Sequence, residues 1–233
     1  MYRIIKEVGL GKFLKAGVAE IYRKIIREYV CNSYSQNWED REIDKLLNFS
    51  KKGFYVEIGA YDPKRLSNCF RFYKRGWMGV VVEPNPEVAN RFLTKRPRDK
   101  FVNAGIGIDN GYLDYFKYLI PALNTFSKKA VLENNKKGFN VDSIEKIKIL
   151  AVKDFLDKYV DKKIDFLSID TEGLDFEILK NWDWKYKPKV LCVEKDNDKR
   201  IEKLLTEKGY KLVKETKYNL IFLKNYRIGG FRT

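Results

Sequence analysis

The chain has 233 residues, a formal charge of +15 and no histidine, which excludes the Ser-His-Asp triad, the Cys-His pair and histidine-ligated zinc. Its three cysteines, Cys31, Cys69 and Cys192, are odd in number and lack a CxxC spacing, which argues against a disulfide framework or a cysteine zinc site and for a reducing compartment. With 44% apolar residues the composition suffices for a buried core, and the length suits one large domain with a short attachment.

Residues 2–30 set Ile4, Ile5, Val8, Leu14, Val18, Ile21, Ile25 and Ile26 at near-helical spacing among basic side chains, with a net charge of +4. This predicts an amphipathic helical segment, for which two roles stay open: docking on the domain or a partner, or contact with a membrane surface. The expected division is a basic segment over 1–33 and an α/β domain over 34–233. Charges from Arg3 to Lys15 interrupt any signal-peptide core, and no apolar run approaches the ~20 residues of a spanning helix. A cytoplasmic protein is expected, at most peripheral to the inner face of a membrane.

Residues 38–49 read as a helix with Ile43, Leu46, Leu47 and Phe49 inward. Short apolar runs follow at 54–58, 78–82, 101–104, 166–169 and 190–193. Helical stretches at 86–96, 152–160, 176–181 and 199–208 lie between them. That alternation predicts βαβ crossovers and a doubly wound, mostly parallel sheet. Residues 210–213 and 220–223 flank a polar turn and predict an antiparallel C-terminal hairpin.

In such a sheet, ligands sit beyond the carboxyl ends of the strands. The first strand ends in Glu57-Ile58-Gly59-Ala60, where a glycine beside a small residue lets backbone approach a ligand. Neither a GxGxxG fingerprint nor a P-loop is present. The second strand ends in Glu83-Pro84, and a carboxylate there accepts hydrogen bonds from a ribose diol. Alone, an acid at a strand end is more often a solvated turn residue or a helix cap; paired with Gly59, Glu83 points to a nucleoside ligand without a phosphate chain.

Several ordered motifs carry a resemblance to a known family. They are Gly59-Ala60-Tyr61-Asp62-Pro63-Lys64-Arg65-Leu66-Ser67-Asn68, then Phe72-Tyr73-Lys74-Arg75-Gly76-Trp77-Met78-Gly79, then Val82-Glu83-Pro84-Asn85-Pro86. Ile164 to Asp175 and Lys187 to Glu194 continue the series, and Ser35-Gln36 with Glu39-Asp40 opens it. Over about 34–223 the chain resembles the FkbM-type S-adenosylmethionine-dependent methyltransferases. The resemblance implies a class I methyltransferase (Rossmann-like) fold. It also implies S-adenosylmethionine held by Gly59, Ala60, Ser67, Asn68 and Glu83, in a set that includes Gln36, Glu57, Tyr61 and Pro84. The acceptor it implies is a hydroxyl group on a sugar of a polysaccharide, glycoconjugate or glycosylated metabolite. Asp62, Pro63 and Cys69 depart from common residues of the family and bear on loop shape and acceptor.

Asp170 and Glu172 follow the fourth strand of the series. An alcohol needs a positioned base or a metal to become a good nucleophile, and without histidine these carboxylates are the first candidates. Capping of the next helix is the competing reading. Glu194 would complete an acidic cluster suited to Mg²⁺, and Trp182, Trp184 and Tyr186 offer faces to a sugar or simply cover the sheet. The +15 charge is expected to form a lysine-rich solvated surface, with no specific nucleic-acid partner, since no nucleic-acid motif is present. An RNA-binding or RNA-modifying protein and a noncatalytic S-adenosylmethionine-binding domain are the alternatives.

Overall fold

The computed structural model describes residues 30–171, 173–196 and 198–225. The segment expected to be helical over 2–30 lies outside these residues but for Val30.

Seven strands form the main sheet: β1 (Phe54–Ile58), β2 (Met78–Val82), β3 (Lys100–Val102), β7 (Phe166–Ile169), β8 (Val190–Glu194), β9 (Tyr210–Glu215) and β10 (Asn219–Lys224). Their order is β3-β2-β1-β7-β8-β10-β9. All pairings are parallel except those of β10, which runs antiparallel to β8 and β9. The order reverses between β1 and β7, which places the switch point there.

The apolar runs of β1 and β7, interrupted only by Glu57 and Ser168, reflect burial on both faces, as expected of central parallel strands. Alternation along β1 sorts its side chains. Phe54, Val56 and Ile58 meet α5 (Val152–Tyr159), α6 (Asp175–Lys180) and α7 (Arg200–Glu207) through Phe155, Leu156, Ile178, Leu179 and Leu205. Tyr55 faces the opposite layer, where α1 (Glu39–Leu46), α2 (Phe70–Arg75) and α3 (Ala89–Lys95) contribute Ile43, Phe72 and Phe92.

A fully buried ion-pair network underlies β1 on the second face. Arg96 donates from Nη1 to Glu57 (2.7 Å), from Nε to Asp99 (2.7 Å) and from Nη2 to the Tyr55 hydroxyl (3.2 Å). Tyr55 in turn donates to Asp99 (2.7 Å). Burial pushes the Tyr55 phenol well above its ordinary range. At the edge of this layer Asp44 receives Arg71 (2.8 Å) and both Nη atoms of Arg75, binding α1 to α2.

A second, three-stranded sheet stands beside the first, in the order β4 (Gly105–Gly107), β6 (Ser143–Ala151), β5 (Gly111–Lys117). Between β5 and β6 lies α4 (Lys128–Lys136). This sheet and α4 were not expected from the sequence. The strand expected over 101–104 ends early: Val102 closes β3 in the large sheet, residues 103 and 104 belong to no strand, and Gly105 begins β4 in the small one. Asn103 makes the break, donating from Nδ2 to the carbonyls of Glu83 (2.8 Å) and Pro84 (3.1 Å). The helix expected over 86–96 begins as a 3₁₀ turn, Pro86–Val88, with the Asn85 side chain accepting from Glu87 N (3.1 Å).

Candidate functional site

A cleft opens at the carboxyl ends of β1, β2 and β7, closed on its far side by the small sheet and the loop 118–127. Gln36, Glu57, Gly59, Ala60, Tyr61, Asn68, Glu83, Pro84 and Asp170 all line it. Ser67 does not. It stands behind the wall, donating to Glu57 Oε1 (2.8 Å) and accepting from the N–H groups of Cys69 and Phe70 at the start of α2. Glu172 lies outside the described residues.

Gly59 turns the chain out of β1 at φ +80°, and a Cβ built on it would fall 1.7 Å from the Asp170 carbonyl oxygen. The close approach that this glycine permits is therefore between two strand ends. Its own N–H and that of Ala60 donate to Val82 O, so the turn is fixed to β2 as well.

Glu83 is buried, and each of its carboxylate oxygens takes one backbone N–H: Tyr61 N on Oε2 (2.7 Å) and Asn85 N on Oε1 (2.8 Å). A carboxylate offers about four acceptor sites, so two remain for a pair of hydroxyl donors. Burial raises the Glu83 pKa from 4.5 to about 7 against the two backbone bonds, which lower it. Glu57 also lines the cleft, but its oxygens are engaged by Arg96 and Ser67.

The Ser35-Gln36 and Glu39-Asp40 motif folds as a carboxylate-centred loop. Asp40 accepts from Ser33 Oγ (2.6 Å), Tyr34 N (2.7 Å) and Ser35 Oγ (3.0 Å). Glu39 accepts from Asn37 N (2.6 Å), Thr216 Oγ1 (2.9 Å) and Asn219 Nδ2 (3.1 Å). These bonds bring Gln36 and Asn219 to the cleft from opposite ends of the chain. Asp62 forms a turn with the N–H groups of Lys64 (2.9 Å) and Arg65 (2.8 Å) and pairs with Arg91.

On the β7 side Asp170 is solvent-exposed within the cleft. The turn that follows is organised by Asp175 of α6, which accepts from Thr171 Oγ1 (3.0 Å) and, more weakly, from Thr171 N. Burial raises the Asp175 pKa. Across the cleft stand Tyr115 of β5 and Phe126, with ring centroids 4.7 Å apart, flanked by Asn124 and Thr125. No sequence signal marks this wall, because its residues belong to elements with weak periodicity. Glu194, Trp182, Trp184 and Tyr186 do not line the cleft. Among the described residues no three acidic or cysteine side chains converge to hold a metal ion; the expected Mg²⁺ cluster of Asp170, Glu172 and Glu194 falls partly outside those residues, at Glu172.

The FkbM methyltransferase domain matches the chain over residues 57–212. The chain belongs to that family. It is an S-adenosylmethionine-dependent methyltransferase, and the strand order described above is the class I methyltransferase form of the doubly wound sheet. No curated protein sequence matches the chain significantly.

Among solved structures, this FkbM-family chain is similar to a putative caffeoyl-CoA O-methyltransferase from Staphylococcus aureus, at 10% identity and TM-score 0.49, covering 91% of this chain and 100% of that one. It is also similar to a TehB-like SAM-dependent methyltransferase from Corynebacterium glutamicum, at 10% identity and TM-score 0.42, covering 90% and 100%. A third is Aeropyrum pernix fibrillarin with natively bound S-adenosyl-L-methionine, at 11% identity and TM-score 0.40, covering 73% and 65%. No helix among the described residues is long and apolar enough to cross a membrane.

Proposed function

We propose that this methyltransferase acts on a hydroxyl group of a sugar, in a polysaccharide, glycoconjugate or glycosylated metabolite, with Asp170 as the base. The observation that carries the reading is a contrast of charge. In a chain of formal charge +15, the charged side chains lining the cleft are Glu57, Glu83 and Asp170, with no lysine or arginine among the described lining residues. Glu57 is offset by Arg96 behind it, which leaves Glu83 and Asp170 as the acidic side chains facing the cleft; such a lining suits a cationic donor and an uncharged acceptor, and opposes a polyphosphate strand.

The bound cofactor supplies a methyl group on a positively charged sulfur. The residues do the rest. Glu83 accepts the ribose hydroxyls on its two remaining acceptor sites, with Pro84 beside it, while Asn68 and Gln36 flank the other arm. Asn68 is itself steadied by donating to Ser168 Oγ (3.0 Å). Asp170 receives the proton of the acceptor hydroxyl. Tyr115 and Phe126 offer ring faces to a sugar, and Asn124 and Thr125 offer polar atoms at its edge.

The test is a screen of glycans and sugar precursors for the gain of one methyl group by mass spectrometry, followed by Asp170→Asn. Turnover falls by about 10²–10⁴-fold, the usual contribution of a general base, while S-adenosylmethionine affinity measured by calorimetry changes little. Wild-type turnover in Asp170→Asn removes this assignment. Methylation of RNA with no methylation of any glycan replaces the acceptor.

A further inference from the structure

The helix α4 presents an outward face that does not serve the fold. None of its nine residues is buried; Ala130, Val131 and Asn134 are half-buried, and the remaining six are exposed. Lys128, Leu132 and Lys136 recur at intervals of four and so share one outward stripe, with Lys129 alongside Leu132 one turn earlier. Leu132 is 63% exposed. The first turn holds Lys128 and Lys129 and no acidic residue, although the positive end of a helix favours acids. Both features cost the isolated helix stability, and a helix of this length is marginal alone.

Its position relates this face to the cleft. Ser127, which caps α4 by accepting from Ala130 N (3.2 Å), lies 3.7 Å from where a Cβ on Gly173 would sit, in the turn just after Asp170 and Thr171. Thr125 and Phe126, immediately before it, line the cleft. The helix therefore stands at the edge where an acceptor enters.

We propose that α4 docks the enzyme on an anionic lipid surface, with Leu132 among the headgroups and Lys128, Lys129 and Lys136 over the lipid charges. The lysines select an anionic partner. Leu132 selects a lipid surface over a nucleic acid, because an apolar side chain gains only where it leaves water, and lysine stems lie along such a boundary while their ammonium groups stay hydrated. One leucine among lysines is the smallest form of an interfacial contact, and binding on one short helix is weak and salt-dependent.

Sedimentation of the full chain with vesicles tests it. The chain pellets with phosphatidylcholine–phosphatidylglycerol vesicles at low salt, and not with phosphatidylcholine alone or at high salt. Leu132→Asp and the double variant Lys128→Glu/Lys136→Glu each lower partitioning by about tenfold or more. The equivalent charge reversal on the distant edge strand, Lys211→Glu/Lys214→Glu, changes it by no more than about twofold. Calorimetric S-adenosylmethionine affinity stays at the wild-type value in all of these, which shows each to be folded. Absence of pelleting, pelleting independent of lipid charge, an equal loss in the Lys211/Lys214 variant, or undiminished pelleting of both α4 variants overturns the proposal. Retention on polyuridylate without vesicle binding also overturns it and assigns the face to nucleic acid.

Discussion

All five residues of β1 are buried, whereas β5 buries two of seven and β6 one of nine. The two sheets share the cleft but carry different burdens. The large sheet is gripped on both faces and holds the Gly59 turn and Glu83, where misplacement is costly. The small sheet lends Gly105 and Ile106 of β4 and Tyr115 of β5, and leaves Tyr112, Leu113 and Ile144 in solvent. Burial is thus concentrated around the turn proposed to receive the cofactor, and exposure on the side proposed to admit the acceptor.

Substitutions sharpen this comparison in order of their size. Arg96→Met removes the single guanidinium that satisfies Glu57 and Asp99, and leaves buried carboxylates uncompensated. A loss of about 3–5 kcal/mol in urea unfolding is expected. A loss below about 1 kcal/mol would mean that water replaces the guanidinium and that the large sheet is less closed than its packing implies. Gly59→Ala forces a Cβ onto the Asp170 carbonyl at a positive φ, and strain and overpacking together cost about 3 kcal/mol. Equal stability of Gly59→Ala and wild type in the same assay would sink the account of the turn.

Glu83 gives a pH signature. Its folded pKa, about 7, exceeds the ordinary 4.5, so between these values the folded state binds more protons than the unfolded chain. The cofactor-free protein therefore loses stability as pH rises from 4.5 towards 7, by at most about 3 kcal/mol. Glu83→Gln should flatten that slope. Cofactor affinity should move the other way, strengthening through pH 7 as the carboxylate ionises to receive hydroxyl donors. Titration calorimetry at pH 6 and 8 checks the sign, and equal affinities would detach Glu83 from the ribose. The smallest effect belongs to the small sheet: Leu113→Ser should shift stability by no more than about 0.5 kcal/mol, and a larger loss in thermal unfolding would show that this strand supports the core.

The large sheet is legible in the sequence because strands buried on both faces are mostly apolar runs. Phe54–Ile58, Met78–Val82 and Phe166–Ile169 have the expected boundaries. The small sheet was hidden for the opposite reason. In Gly-Tyr-Leu-Asp-Tyr-Phe-Lys, both faces of β5 carry apolar and polar residues, so no alternation stands out. In the cleft, Gly59, Glu83 and Asp170 were visible as strand-end residues. Asn219 and Tyr115 were not, because only tertiary pairing brings them there. Ser67 and Glu57 were read as neighbours of the cofactor. Their side chains are joined to each other, and the Arg96 that completes the group lies far along the chain with no local pattern to mark it.

The contact between Gly59 and the Asp170 carbonyl has a consequence for how such an enzyme changes its acceptor over time. In the proposed assignment, this one close backbone contact ties the turn that would receive the donor to the residue that would meet the hydroxyl, so neither can shift without carrying the other. Variation that moves Asp170 towards a new acceptor would misalign the donor in the same step. New specificity therefore has to arise elsewhere, on the loop 118–127 and the strand bearing Tyr115, where side chains can be exchanged while the distance across the reaction stays fixed.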